Sequence, residues 1–125
     1  AIELPRAGFA RNYTYLKIRD RLSYAFALVS VAVGLELEGG GIKEARIALG
    51  GVAHRPWRVT GAEEHLKGQA AGRKAFGVAA DAILEGATGF AHNGFKIELA
   101  RRAIVRGLEQ AAAATPQSQS VKVIL

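Results

Sequence analysis

Two apolar segments joined by three glycines decide the fold of this chain. They read Ala25-Phe-Ala-Leu-Val-Ser-Val-Ala-Val-Gly-Leu-Glu-Leu, then Glu38-Gly-Gly-Gly, then Ile42-Lys-Glu-Ala-Arg-Ile-Ala-Leu. Every odd position from 27 to 37 is apolar, which is the period of a strand with one fully buried face. The second segment alternates in the same way, and the glycine-rich connection is typical of a bulged hairpin turn. We therefore predict antiparallel strands over 25–37 and 42–49.

Helical patterns follow in the second half of the chain. The segment Thr60-Gly-Ala-Glu matches a capping box and predicts a short helix that ends at Gly68. Apolar residues at helical spacing predict a second helix over about 72–86 and a third over about 95–114. Trp57, just before the first helix, is predicted to be an anchor of the hydrophobic core.

Strands followed by segregated helices define an α+β fold. We predict a hairpin-based antiparallel sheet of three to four strands packed against two to three C-terminal helices. A single domain over 1–125 would comprise a basic lead-in (1–22), the sheet (23–60), the helices (61–114) and a polar tail (115–125). A chain of 125 residues, half of them hydrophobic, has the size of one domain with a packed core.

The composition excludes several kinds of site. Cysteine is absent, which excludes disulfides, zinc–thiolate sites and cysteine-ligated iron–sulfur clusters within this chain. The three histidines lack the spacing of a metal-binding helix, and no serine lies in a nucleophile elbow. We therefore predict no metal site and no catalytic residue. Methionine is absent even at position 1, which indicates a fragment, a processed product or a trimmed chain.

Basic residues are concentrated near the start of the chain, whose net charge is +6. The first 21 residues carry five cations against two acids: Arg6, Arg11, Lys17, Arg19 and Arg21 against Glu3 and Asp20. Such a segment suits nucleic acid, an anionic cofactor or an acidic partner protein. Against nucleic acid, only three nearby aromatic residues are placed to stack on bases, Phe9, Tyr13 and Tyr15, and the sequence contains no known nucleic-acid-binding motif. A second basic group, over 101–106, is flanked by acids at helical spacing and is interpreted as a solvated helix face.

Four segments, taken in order, carry a resemblance. They read Tyr15-Leu-Lys-Ile-Arg-Asp-Arg-Leu-Ser-Tyr-Ala; Ala45-Arg-Ile-Ala-Leu-Gly-Gly-Val-Ala-His-Arg-Pro-Trp-Arg; Ala62-Glu-Glu-His-Leu-Lys-Gly; and Phe95-Lys-Ile-Glu-Leu-Ala-Arg-Arg-Ala-Ile-Val-Arg. This ordered set resembles the C-terminal domain of the FAD-binding (medium) subunit of molybdenum hydroxylases. That family includes xanthine dehydrogenases, aldehyde oxidoreductases and carbon monoxide dehydrogenases.

The resemblance implies a component of a three-subunit oxidoreductase. In such an enzyme a large subunit with a molybdenum cofactor oxidises an aldehyde or an N-heterocycle, and a small subunit with two [2Fe–2S] clusters relays the electrons. The medium subunit passes them through FAD to an acceptor such as NAD⁺, oxygen or a protein. FAD would be bound mainly by an N-terminal domain missing from this sequence, so the isolated chain is expected to be inactive. The implied partners are the large and small subunits, with no nucleic acid and no membrane span.

Carried over by position, Lys17 is the best candidate for a cofactor contact, with Arg21, Ser23 and Tyr24 as neighbours. A cation beside the flavin ring would stabilise its anionic reduced form and raise its reduction potential. The alternative for Lys17 is a surface ion pair with Asp20. The alternative for the chain is a non-catalytic basic module that docks on nucleic acid or a partner protein. We expect a cytoplasmic location, or a periplasmic one by export with a partner subunit.

Overall fold

The computed structural model describes residues 1–4, 8–118 and 120. This part of the chain contains three strands: β1 (Asn12–Ile18), β2 (Val29–Glu38) and β3 (Gly41–Gly50). Three helices follow: α1 (Thr60–Glu64), α2 (Arg73–Ile83) and α3 (Phe95–Ala112). The strands form one antiparallel sheet in the order β1-β2-β3. The predicted α+β fold, with a sheet of three strands and three helices after it, is confirmed.

The β2–β3 hairpin is as predicted, with a later start. Val33 pairs with Ile47 in the middle of the hairpin, and a β-bulge lies at Glu36 and Leu37. Gly39 and Gly40 have φ values of 59° and 81°, a conformation that glycine adopts without steric cost, so the turn requires them. β2 begins at Val29 and not at Ala25, because the apolar residues before it belong to an exposed loop.

Strand β1 corrects the prediction that segment 1–22 is a basic lead-in ahead of the sheet. It lies inside the basic segment 1–22 and pairs antiparallel with β2, Leu16 opposite Val31. Its inward face consists of Thr14 and Leu16, both buried. The Thr14 hydroxyl donates to Gln110 Oε1 at 3.0 Å and accepts the Gln117 N–H at 2.9 Å. Because one of the two inward positions is a threonine with a hydrogen-bonded hydroxyl, the sequence of this strand shows no hydrophobic alternation.

Helix α3 packs across the inner face of β1 and β2 and closes the core. Ala100, Ile104 and Leu108 of its predicted apolar stripe are buried, and Ile97 is partly exposed. A Cβ placed on Gly107 would lie 3.2 Å from Val33 Cγ2, so the helix and the sheet approach closely at this glycine. Both long helices end earlier than predicted, α2 at Ile83 and α3 at Ala112.

Two local predictions around α1 are wrong. Helix α1 has Val59 at its N-cap with no side-chain cap, so the capping box does not form. The Glu63 carboxylate instead accepts the Ile47 N–H of β3 at 2.8 Å and two hydrogen bonds from Arg58. Trp57 is 39% exposed and is therefore no core anchor; its backbone exchanges two hydrogen bonds with Leu49.

The outer edge of β3 is covered by the connection to the helices. The Ile42 N–H donates to Gln69 O at 2.9 Å, and the Leu49 N–H donates to Trp57 O at 2.8 Å. Between them the Ile47 N–H is bound by Glu63. The helices within the described ranges include none that is both long and apolar enough to cross a bilayer.

Candidate functional site

The sheet has one open face, opposite the helices. On β1 the side chains of Tyr13, Tyr15 and Lys17 alternate with the buried positions and are exposed. Lys17 lies opposite Ser30 of β2, next to the end of β1. The centre of this face is made of small residues, Ala32 and Gly34. The first predicted cofactor contact therefore lies on an accessible sheet surface, on the same face of β1 as two tyrosine side chains.

The N-terminal end of the described chain covers part of that face. A Cβ on Gly34 would lie 2.9 Å from the Phe9 ring, so the glycine gives Phe9 room to pack on the sheet. The Arg46 guanidinium lies 4.9 Å from the centroid of the same ring, within the range of a cation–π contact. Phe9 is thus engaged inside the domain. It is not placed to stack on a base, contrary to the expectation from the sequence.

The loop 19–28, between β1 and β2, carries the other predicted site residues. Its ends are joined by a hydrogen bond from the Leu28 N–H to Ile18 O at 2.8 Å. Arg21 donates through Nη2 to the carbonyl oxygen of Tyr24. Tyr24 has a φ of 54°, uncommon for a non-glycine residue, and its side chain is 96% exposed. The structure thus brings Arg21 and Tyr24 together, and Ser23 lies exposed between them.

Lys17 is available for an external ligand. It makes no ion pair or side-chain hydrogen bond with any residue in the described part of the chain, and in particular none with Asp20. The alternative of a Lys17–Asp20 surface pair is therefore not what the structure contains. An unpaired ammonium on an accessible face can bind an anion without first breaking an internal contact.

Hydrophobic side chains of the loop are exposed as well. Phe26 is 97% exposed and Leu22 is 52% exposed. Phe26 lies within the strand predicted over 25–37 and Leu22 lies just before it, but neither enters the core. Exposed apolar groups gathered in one loop offer surface that a ligand or a partner protein could cover. The loop combines cations with apolar and aromatic surface, which suits a planar aromatic ligand that carries negative charge.

The turn after β3 packs directly against this loop. Gly51 has a φ of 76°, and a Cβ on it would lie 3.0 Å from Leu28 O and 3.1 Å from Ala27 O. The Lys96 ammonium, in the first turn of α3, donates to Gly51 O at 2.7 Å. The loop, the turn and the start of α3 are therefore held together at one end of the sheet.

A cavity that the sequence did not reveal opens at the same end. It has a volume of about 290 Å³ and lies between the end of β3, the end of α2 and the start of α3. Its lining is mainly apolar and includes Leu49, Val52, Trp57, Ile83 and Ile97, together with the charged residues Lys96 and Glu85. The lining comes from distant parts of the chain, so no local motif announces it. Trp57, expected in the core, forms part of its wall.

The described residues contain no cluster of three or more histidine, aspartate or glutamate side chains that could hold a metal ion.

The cations at the loop end, Lys17, Arg19 and Arg21, are accompanied in the same segment by one acid, Asp20. The arrangement can bind and orient an anionic ligand through charge.

Comparison with known proteins identifies the family of the chain. Residues 13–111 match the CO dehydrogenase flavoprotein C-terminal domain family. The chain belongs to this family. The matched range includes the whole of the segment from Lys17 to Tyr24, together with the turn at Gly51 and the cavity beside it.

Relatives of this flavoprotein C-terminal domain are parts of oxidoreductases. The chain is 44% identical over 113 residues to the aldehyde oxidoreductase FAD-binding subunit PaoB of Escherichia coli strain K12, covering 90% of this chain and 32% of PaoB. Quinoline 2-oxidoreductase from Pseudomonas putida 86 has a similar structure, with a TM-score of 0.75 and 28% identity over 85% of this chain and 38% of that one. Carbon monoxide dehydrogenase from Hydrogenophaga pseudoflava follows, with a TM-score of 0.74 and 29% identity over 82% and 37%. The chain therefore spans about a third of the length of PaoB.

Proposed function

We propose that this chain is the C-terminal domain of the FAD-containing subunit of a molybdenum hydroxylase. The family match and the 44% identity to an FAD-binding subunit support the assignment. Oxidoreductases for aldehydes, quinoline and carbon monoxide are among the related proteins. The observation that carries the proposal is Lys17, an unpaired cation on an open sheet face beside a loop of exposed aromatic rings.

These residues fit one side of a flavin. The isoalloxazine ring is planar and aromatic, and it becomes anionic when reduced. Lys17 and Arg21 supply positive charge, while Tyr24 and Phe26 present fully exposed rings. Ser23 adds a hydroxyl that can donate or accept a hydrogen bond. We assign no pyrophosphate contact to this chain, because the candidate residues are suited to the ring end of the cofactor.

Bound FAD would supply the redox chemistry, and this domain would supply charge and shielding from water. An ammonium group in a site from which water is excluded interacts with the reduced ring much more strongly than an exposed one. In our proposal the subunit passes electrons from the [2Fe–2S] clusters of a small subunit to an acceptor such as NAD⁺, oxygen or a protein. A large subunit with a molybdenum cofactor would oxidise the substrate. Location in the cytoplasm, or in the periplasm by export with a partner, stays a prediction.

The proposal is tested by producing this domain as part of a complete FAD-binding subunit. After reconstitution with FAD we expect flavin absorbance that co-purifies with the protein. Replacing loop residues Tyr24 and Phe26 by alanine should then increase the accessibility of the flavin to a soluble quencher. A complete subunit that stays colourless, or a flavin whose accessibility is unaltered by the loop variant, would contradict the assignment.

A further inference from the structure

A second basic surface lies in a groove between α2 and α3, and it shares no lining residue with the proposed flavin contacts. The groove has a volume of about 730 Å³, and all of its lining residues belong to these two helices. Its walls carry five cations and two acids: Arg73, Lys74, Arg101, Arg102 and Arg106 against Asp81 and Glu109. The sequence pattern predicted a solvated helix face with its charges partly neutralised, so the balance of charges decides what the groove can do.

The acids of the groove are already engaged. Asp81 accepts two hydrogen bonds from Arg101, at 2.7 and 3.2 Å, which join α2 to α3. Glu109 accepts a hydrogen bond from Arg73 at 3.2 Å, again across the two helices. On the rim, Glu98 pairs with Arg102 at 2.8 Å. The internal pairs therefore account for three of the five cations.

Two cations remain, one on each wall. Lys74 of α2 and Arg106 of α3 form no ion pair or side-chain hydrogen bond with any residue in 1–4, 8–118 and 120. Both side chains are exposed. A ligand that presents carboxylates to both walls would meet these two groups without displacing an existing pair.

The groove also offers a small apolar surface. Val78 on α2 is 56% exposed. Next to it, Gly77 has no side chain, so the α2 wall of the groove is low at this point. A Cβ at Gly77 would have one described neighbour within 4 Å, Arg101 Nη2 at 3.6 Å. Val105 of α3 lines the same groove. Apolar contact flanked by cations is the pattern that receives an amphipathic helix with acidic residues beside its apolar stripe.

The lining favours a protein over a nucleic acid. No aromatic residue is among the side chains that line the groove within the described chain, so bases would find no stacking platform. The two unpaired cations, Lys74 and Arg106, suit a peptide helix that presents a few carboxylates, whereas a phosphate backbone would present a continuous run of negative charge. α2 has 11 residues and is therefore about 16 Å long, which matches about three turns of a docked helix.

We propose that the α2–α3 groove docks an acidic amphipathic helix of a partner protein. The proposal is independent of the flavin assignment, because none of the residues that face the flavin lines the groove.

The test uses the chain itself and a synthetic peptide of about 15 residues with glutamates flanking a leucine stripe. Amide chemical shifts should change along α2 and α3 on titration and stay unaltered in the loop 19–28. The double variant Lys74→Glu/Arg106→Glu should weaken binding by about tenfold or more. Circular dichroism would verify that this variant keeps its helical content.

A charge-matched variant provides the control. Arg11→Glu/Lys43→Glu changes the net charge equally at exposed sites outside the groove, and its affinity should stay within about twofold of the original. A peptide with the same composition in scrambled order should bind weakly. Any of three results would overturn the proposal: equal losses of peptide affinity in the two double variants, chemical-shift changes confined to the loop 19–28, or tighter binding of a single-stranded oligonucleotide in the groove.

Discussion

Arg58 and Glu63 form a bidentate ion pair, with Arg58 Nε 2.7 Å from Glu63 Oε1 and Arg58 Nη2 2.8 Å from Glu63 Oε2. The Glu63 side chain is 5% exposed, and its Oε1 also accepts the Ile47 N–H of β3 at 2.8 Å. Hydrogen bonding to the carboxylate raises the pKa of Arg58 above its ordinary value. One carboxylate thus joins the start of α1 to the edge of the sheet.

Replacing Glu63 by alanine should lower the free energy of unfolding by roughly 2–3 kcal/mol, because the Ile47 N–H loses its acceptor while buried. The measurement is equilibrium unfolding in urea. Glu64→Ala is the matched control and should cost little, since Glu64 is exposed and, among the described residues, forms an ion pair only with exposed Lys67. Equal effects of the two variants would show that the buried carboxylate has no special role.

The pair of Asp81 and Arg101 should make stability depend on pH in acid. The hydrogen bonds from Arg101 hold the pKa of Asp81 below its ordinary value of 3.8. A carboxyl group with a lowered folded-state pKa stabilises the protein above pH 3.8, and this contribution is lost as the pH falls through the folded-state pKa.

Asp81→Asn should therefore lower Tm slightly at neutral pH and have no effect well below pH 3.8. Because the pair is exposed, the neutral-pH difference should also shrink at high salt. Thermal unfolding of both proteins at the two pH values provides the measurement. A Tm difference that persists unchanged in strong acid would contradict this account of Asp81.

Lys17→Ala should leave the fold intact, because Lys17 is exposed and makes no internal ion pair among the described residues. In a complete FAD-binding subunit the same change should lower the reduction potential of the flavin, since a cation favours the anionic reduced form. Lys43→Ala is the control, an exposed lysine on β3 near the hairpin turn, at the opposite end of the sheet. If both variants have the original potential, Lys17 is an ordinary surface charge.

Gly107→Val should destabilise the domain by about 1–3 kcal/mol, through overpacking between α3 and the sheet. Even a Cβ at this position lies 3.2 Å from Val33 Cγ2 and 3.5 Å from Val31 Cγ1, so the larger side chain of valine would force α3 away from the sheet. Gly61→Val is the control, because nothing lies within 4 Å of a Cβ there. Urea unfolding should separate the two; a tolerated valine at 107 would mean that α3 can move away from the sheet.

The hairpin and the long helices could be predicted because their buried faces are uniformly apolar. The inward positions of β2, such as Val31 and Val33, and those of α3, such as Ile104, repeat at the periods of their elements. β1 could not be predicted in this way. Its core-facing residue Thr14 is polar, and it is satisfied by Gln110 and Gln117, about a hundred positions away.

Long-range partners also explain the other errors. The capping box failed because Glu63 is bound by Ile47 and Arg58, contacts that the local pattern does not contain. Strand β2 was predicted to start too early because hydrophobicity alone does not distinguish a core residue from an exposed one such as Phe26. The four predicted site residues lie at one end of the sheet as a group, whereas their role toward the flavin is still a prediction.

The covered edge of β3 has a consequence for behaviour at high concentration. An unprotected strand edge offers N–H and C=O groups to a strand of another molecule and so promotes aggregation. Here backbone pairing occupies the edge at Ile42 and at Leu49, and the carboxylate of Glu63 occupies the N–H between them. The connection over 57–70 therefore separates neighbouring molecules as well as linking the sheet to the helices. Loss of this one carboxylate would leave a gap at which two copies could begin to associate.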